Sequence, residues 1–444
     1  MLRRRTNLRA GDGCKDQKGV IITLVAVFML FVVGAMAALS IDVVTIYTAR
    51  SEAQLAADSA ALAAARVLAN SGATSDTSGA LMTGATPLAQ AVAVQVAEQN
   101  QVGGTNLTSG QITVSFGTAG TINPTNPTVN VKVQTNLPTF FARIWGSTQV
   151  TVGASATAEA YNPSATSAIT AGGATRPTVA PMCVKPWLLP NMSPGEPGAT
   201  NARIFDPATG VILDTGLLGW ATPPGGPHLR TACTTGAQEA CPGPTPTAWR
   251  YFPGTTDPTT GNFPAPSASS VTCSGCTGFN NYQLSIAGCV QTPISCNATV
   301  SVDQTSDGTR DSETADPVND MTHATTNKGD SVDTSVNTPP PFQFLAGDDN
   351  PVPGTKGNDV MVSDSLVTVP VINVDSAPLP ASYPTVQIIG FVQLFLNPSG
   401  AASPSTGHIR TQVINLVGCG TTASGTPIIG NGASPVVVRL ISGS

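Results

Sequence analysis

The residues best suited to chemistry in this chain of 444 are its nine cysteines, three histidines and a cluster of acids. Cys273-Ser-Gly-Cys276 has the spacing of a redox dithiol or of half a zinc site, because two thiols that close together can exchange a disulfide or share a metal. Redox use needs a strand-then-helix setting and zinc needs further ligands. Neither surrounds the pair, and His228, His323 and His408 stand far apart. Between residues 303 and 333 lie Asp303, Asp307, Asp311, Glu313, Asp316, Asp320, Asp330 and Asp333, against Arg310 and Lys328 alone. These acids lack the alternating spacing of an EF-hand calcium loop, so the segment reads as a solvated, mobile linker. Asp206 and the pair Asp348-Asp349 sit in Gly/Pro surroundings, where a carboxylate caps a turn. The Gly-x-Ser-x-Gly elbow, HExxH and the phosphate loop do not occur. The expectation is a structural or assembly protein without an active site, cofactor, metal or small-molecule substrate. A net charge of −6 offers no basic surface for nucleic acid.

Cys14 stands alone near the start. Cys183, Cys233, Cys241, Cys273, Cys276, Cys289, Cys296 and Cys419 form an even set that reads as up to four disulfides in an oxidising compartment, with about 105 possible pairings. The crowding from Cys273 to Cys296 favours a local, stapled knot.

The element that must position everything else comes first. Val20 to Leu39 is a run of apolar or weakly polar residues without a charge, and at 1.5 Å per residue it covers roughly 30 Å, the hydrocarbon thickness of a bilayer. Arg3, Arg4, Arg5, Arg9, Lys15 and Lys18 precede it, whereas Arg50 is the only basic residue from Asp42 to Ala61, which puts the N-terminus in the cytoplasm. A second reading stays open: Ala35-Met36-Ala37 is a small-residue cleavage site, and cleavage after Ala37 would release a secreted adhesin or ectodomain.

No turn signal separates the span from Asp42–Asn70, which is alanine-rich and free of Gly and Pro, so one rod of about 75 Å is expected. Gly34 and Ala38 make a small-xxx-small pair inside the span. Beyond it Ala53, Ala56, Ala57, Ala60, Ala63 and Ala64 cover one face, and Arg50, Gln54, Asp58 and Arg66 form a polar stripe. The small face suits either a second chain or the protein's own domain. Thr86-Pro87 starts a second helix reaching about Gln101, with a strand as the alternative because Val92, Val94 and Val96 alternate. Strands are expected at Ile112–Phe116, Val129–Val133 and Val150–Ala160, with Thr139–Trp145 a short helix or crossover. From Thr175 to Cys296 prolines, glycines and cysteines dominate, and disulfides are expected to replace a large core. Leu366–Val374, Val386–Leu396, Ile409–Val417 and Val436–Ile441 read as one antiparallel sheet.

The fold class expected is α+β: a transmembrane helix continuing into an extracytoplasmic helix with a small pilin-like sheet, then a disulfide-stapled β-rich region. The divisions are a basic tail at 1–18, the span at 19–41, helix plus sheet at 42–161, the Cys-rich region at 162–302, an acidic linker at 303–337 and a β-rich domain at 338–444.

Two segments resemble TadG-like proteins of the tight-adherence (Flp pilus) assembly system. The first is Lys18-Gly19-Val20, the span, Ser40-Ile41-Asp42-Val43, Tyr47-Thr48-Ala49-Arg50, and Gln54-Leu55-Ala56-Ala57-Asp58 running on to Ala65. It is similar to the family's "AVD" step, "Y-x-x-R" and "LQxAADAAALAAA" helix, with Asp42, Tyr47, Arg50, Leu55 and Asp58 as signature positions. The second, Pro138-Thr139-Phe140-Phe141-Ala142-Arg143-Ile144-Trp145-Gly146 and Val150 to Ala160, resembles "PTFFARxxG…VxVxAxAxAxA". The resemblance implies a single-pass bacterial inner-membrane protein that assembles or anchors Flp pili, its bulk periplasmic or extracellular, with pilin-like or other assembly proteins as partners. The fifth position after Gly19, a glutamate in type IV prepilins, is Leu24 here. The von Willebrand metal site of some members has only Asp333-Thr334-Ser335-Val336-Asn337 as a counterpart.

Overall fold

The computed structural model describes residues 17–76, 78–118, 126–164, 177–193, 203–219, 228–231, 248–254, 263, 266, 276–303, 307–324, 328–332, 342–374, 385–397, 409–420, 426–430 and 432–441. Its helices are α1 (Gln17–Asn70), α2 (Ala80–Glu98), α3 (Asn281–Ala287) and α4 (Asp307–Met321). The principal strands are β1 (Ile112–Gly117), β2 (Thr128–Pro138), β3 (Gln149–Tyr161), β4 (Trp187–Pro190), β5 (His228–Thr231), β6 (Ala248–Pro253), β7 (Thr299–Ser301), β8 (Leu366–Ile372), β9 (Thr385–Leu396), β10 (Thr411–Gly418) and β11 (Val437–Ile441).

The expected rod is one unbroken helix of 54 residues. Its most apolar stretch is uncovered by the rest of the chain. From Ala49 on, Ala49, Ala53, Ala56, Ala57, Ala60, Ala61, Ala64, Ala65 and Leu68 recur at helical spacing and are buried. They pack on α2 and on one face of a four-stranded antiparallel sheet ordered β11-β3-β2-β1. In β2, Val129, Val131, Val133, Thr135 and Leu137 point into this layer while Lys132, Gln134 and Asn136 point out, the period of two that a one-sided strand requires. Alanines on both partners let the helix backbone lie close to the strands, so dispersion between backbones replaces side-chain volume.

Helix α2 starts at Ala80, ahead of the expected Thr86-Pro87, and the strand alternative is excluded. Asp76 supplies the start signal: its carboxylate accepts the N–H of Ser78 at 2.8 Å and of Leu81 at 2.9 Å. Pro87 lies inside and forfeits one helical bond, but Ala85, Ala89, Ala93 and Ala97 form a fully buried stripe at every fourth position that outweighs it.

Beyond this unit a mixed sheet runs β7-β9-β8-β4-β6-β5, with β10 also paired to β9. Three of the four C-terminal strands lie antiparallel in it as expected, but β4 joins β8 in parallel. The fourth, β11, leaves and pairs with β3, Val437 opposite Tyr161, so the chain's last strand completes the first sheet. Arg439 fixes it there, donating at 2.8 Å to the buried carboxylate of Glu159.

Three further expectations are corrected. The region from residue 175 to 296 buries Trp187, Trp249, Tyr251, Phe252, Phe205 and Tyr282, an aromatic core in addition to its disulfides. Two cysteines expected in the local knot, Cys289 and Cys296, instead make long-range links, Cys183–Cys289 and Cys296–Cys419, across 106 and 123 residues. Cys276 is also disulfide-bonded, while Cys14, Cys233, Cys241 and Cys273 lie outside the described residues. The acidic segment is not a solvated linker at 307–321 but helix α4, docked on α3. Ala315, Val318 and Met321 are buried, Thr314 meets the Tyr282 hydroxyl at 2.8 Å, and Arg310 neutralises Asp303 and Glu313 while lying over the Tyr282 ring.

Buried amides lock the C-terminal end of α1 to the mixed sheet. Asn70 donates to the Met361 carbonyl at 2.8 Å and accepts from Gln393 at 3.2 Å, and Asn415 donates to Gln393 Oε1 at 2.5 Å and to the Ala69 carbonyl at 2.6 Å. Asn415→Leu strips partners from the buried Gln393 side-chain oxygen and Ala69 carbonyl and is expected to cost about 3 kcal/mol, read as a lowered thermal midpoint in detergent. An unchanged midpoint would show the network to be dispensable.

Candidate functional site: the junction between the apolar and packed halves of the first helix

Asp42 stands where α1 stops being apolar. Its Oδ1 accepts the N–H of Phe140 at 2.9 Å, and its Oδ2 accepts those of Phe141 at 3.0 Å and Ala142 at 2.7 Å. These amides open the 3-10 turn Ala142–Trp145 and would otherwise lack acceptors. Burial alone would raise the Asp42 pKa, but the three N–H groups and the Arg143 charge outweigh it and hold the carboxyl below the ordinary aspartate value. The latch is therefore complete at neutral pH and is lost only as pH falls through that depressed value. Arg143 Nε closes the turn onto the Thr139 carbonyl at 3.0 Å, and Gly146, at φ 93°, ends it.

The latch joins the two segments that carry the resemblance, about 100 residues apart in sequence. It also sets Ile144 beside α1, where it closes one side of a groove lined by Val27, Leu30, Phe31, Gly34, Ala35 and Ala38. Gly34 has open space where a side chain would stand. Of the other packing candidates, Ala53, Ala57, Ala60 and Ala64 are fully buried, and the contacts of their half of α1 are with α2, β2, β3 and β11 of the same chain. Three signature residues, Tyr47, Arg50 and Leu55, lie exposed on α1, and the half-buried Asp58 accepts from Gln54 at 2.7 Å.

A second, polar cavity of about 400 Å³ is lined by Arg66, Lys185, Asp320, His323 and Asp364 among others, and no sequence pattern had linked these residues. Lys185 Nζ donates to the carbonyls of Ile286 and Gly288, at 2.5 and 2.8 Å. Burial lowers its pKa to about 8, the Asp364 charge opposing the shift only in part. The unfolded chain then holds more protons than the folded one between pH 8 and the ordinary lysine value, so stability from this group rises with pH in that window. Relative to Lys185→Met, the wild type is expected to gain on the order of 3 kcal/mol from pH 8 to 10.5. Parallel pH profiles of the two thermal midpoints would contradict the assignment. Among the described residues no group of three or more His, Cys, Asp or Glu is placed to hold a metal, and the string Asp333–Asn337 lies outside them.

The arrangement defines a class: a mixed helix-and-sheet protein whose first helix is half bare and apolar, as fits a membrane anchor, and half the core of the folded part. Residues 19–67 match the family model described as "Putative Flp pilus-assembly TadE/G-like". No curated protein and no solved structure matches the chain.

Proposed function

We propose that this chain is a single-pass membrane component that assists assembly or anchoring of Flp/Tad-type pili, with its N-terminus cytoplasmic and its bulk periplasmic or extracellular. The observation that carries the reading is the family match at residues 19–67, which runs from the bare apolar half of α1 into the packed half. One long helix laid on a small antiparallel sheet supports a pilin-like exterior. Two long-range disulfides support an oxidising compartment. The helix runs unbroken through Ala37, where a cleavage site needs extended chain, which favours retention over release as an adhesin.

The chain works through packing, without catalysis or a cofactor. Gly34 and Ala38 form the bilayer contact with another helix, and the exposed Tyr47–Arg50–Leu55 face meets other assembly proteins. Ala53, Ala57, Ala60 and Ala64 serve helix packing within the chain. Deleting the gene is expected to abolish Flp pili in electron micrographs, and the wild-type gene, but not Gly34→Leu, restores them. Normal piliation of the deletion strain would overturn the reading.

A further inference from the structure

We propose that the tip formed by Phe140 and Ile144 is a second membrane contact, inserted among the acyl chains just below the headgroups of the outer leaflet, beside the α1 span. This rests on the membrane-anchored reading above.

Position is the first argument. Ile144 shares a groove with Val27, Leu30, Phe31, Gly34, Ala35 and Ala38, all inside the apolar run. Ala38 lies about 6 Å and Gly34 about 12 Å along the helix from Asp42, at 1.5 Å per residue. A side chain that touches this stretch shares its surroundings, and if the run is in hydrocarbon then so is the tip.

Surface chemistry is the second. Phe140 is 61% exposed and Ile144 73% exposed, although both belong to a turn tied down on several sides. Arg143, exposed in the same turn with its Nε on the Thr139 carbonyl, adds a cation of the kind found at lipid headgroups.

The backbone supplies a third, independent argument. Irregular chain is tolerated at membrane depth only when its polar groups are satisfied within the protein. Asp42 takes the N–H groups of Phe140, Phe141 and Ala142, while those of Thr139, Ile144, Gly146 and Ser147 go to the carbonyls of Thr148, Phe141, Arg143 and Ala142. The Thr139 hydroxyl bonds the Ser147 carbonyl. Seven N–H groups of the segment from Thr139 to Ser147 are thus paired inside the protein, more than a loop facing water needs. In this view Asp42 is the positioning residue that makes the turn fit for lipid. Two contact points fix the rotation of α1 about its axis, and so the direction in which Tyr47, Arg50 and Leu55 are presented.

The test is nitroxide depth measurement on the full-length chain, with Cys14→Ser, in phosphatidylethanolamine/phosphatidylglycerol proteoliposomes. Labels are placed singly at Ile144→Cys and Phe140→Cys, with Ala35→Cys as the bilayer reference and Gln134→Cys, on the outer face of β2, as the aqueous one. The labels at 144 and 140 are expected to be relaxed by oxygen several-fold more than by a water-soluble nickel chelate, as at position 35. If they respond to nickel like position 134 while position 35 stays in lipid, the proposal is overturned and the anchor stands. Shielding from both reagents, in liposomes that hold this chain alone, would mean that protein from the same or a second copy covers the tip, which also overturns it. Nickel access at position 35 would remove the membrane reading itself, and this proposal with it.

Discussion

Replacing Ala60 by leucine is expected to destabilise the folded part by about 3 kcal/mol, whereas Gly34→Leu leaves its stability unchanged and impairs only piliation. Ala60 is fully buried, in the half of α1 that packs on α2 and the first sheet, where facing residues are themselves alanines and valines. Three added carbons have no space there unless the helix lifts off the strands. Gly34 has nothing within 4 Å of the position a Cβ would take, so a side chain meets only what lies outside the chain. Thermal midpoints of the full-length variants in detergent, set beside pilus counts, separate the two roles. A stable Ala60→Leu protein, or a Gly34→Leu protein that melts early, would reverse the assignment of which half of the rod packs inward.

Cutting the Cys296–Cys419 link with the double variant Cys296→Ala, Cys419→Ala is expected to cost about 5 kcal/mol, the loop-closure entropy of so long a loop. The two cysteines flank β9: Asn297 donates to the Ile388 carbonyl at 2.9 Å and Cys419 to that of Ile389 at 2.9 Å. The bond therefore staples the strands lying on either side of the start of β9, which come from distant parts of the chain. Loss of the link should expose the mixed sheet to limited proteolysis before the first unit, whose own helices and strands contain no cysteine. Wild-type resistance in the double variant would show the sheet to be self-sufficient.

What could be read from residues alone follows from how local each cause is. The rod and the strands β1, β2 and β3 follow from periodicity within one element; the bounds of the rod, β1 and β3 came within a few residues, whereas β2 runs on past Val133 to Pro138. The apolar positions of α4 also obey a local period, Ala315, Val318 and Met321, but eight acids in the surrounding segment masked it. Disulfide partners across 106 and 123 residues have no local signal, because crowding in sequence says nothing of what the sheet brings together. The same holds for β11 crossing to β3 and for Lys185 meeting the cavity of Asp364. Of the junction, Asp42 and the Phe140–Trp145 turn were each legible as parts of a resemblance. Their contact was not, since a carboxylate capping amides about 100 residues away leaves no mark in spacing.

The central claim, that the apolar half of α1 is retained as an anchor, is tested most directly by intact-mass measurement of the mature protein extracted from alkali-washed membranes. A polypeptide that still includes residues 20–39 and resists the wash is predicted. A soluble product beginning near Ala38 would contradict the account.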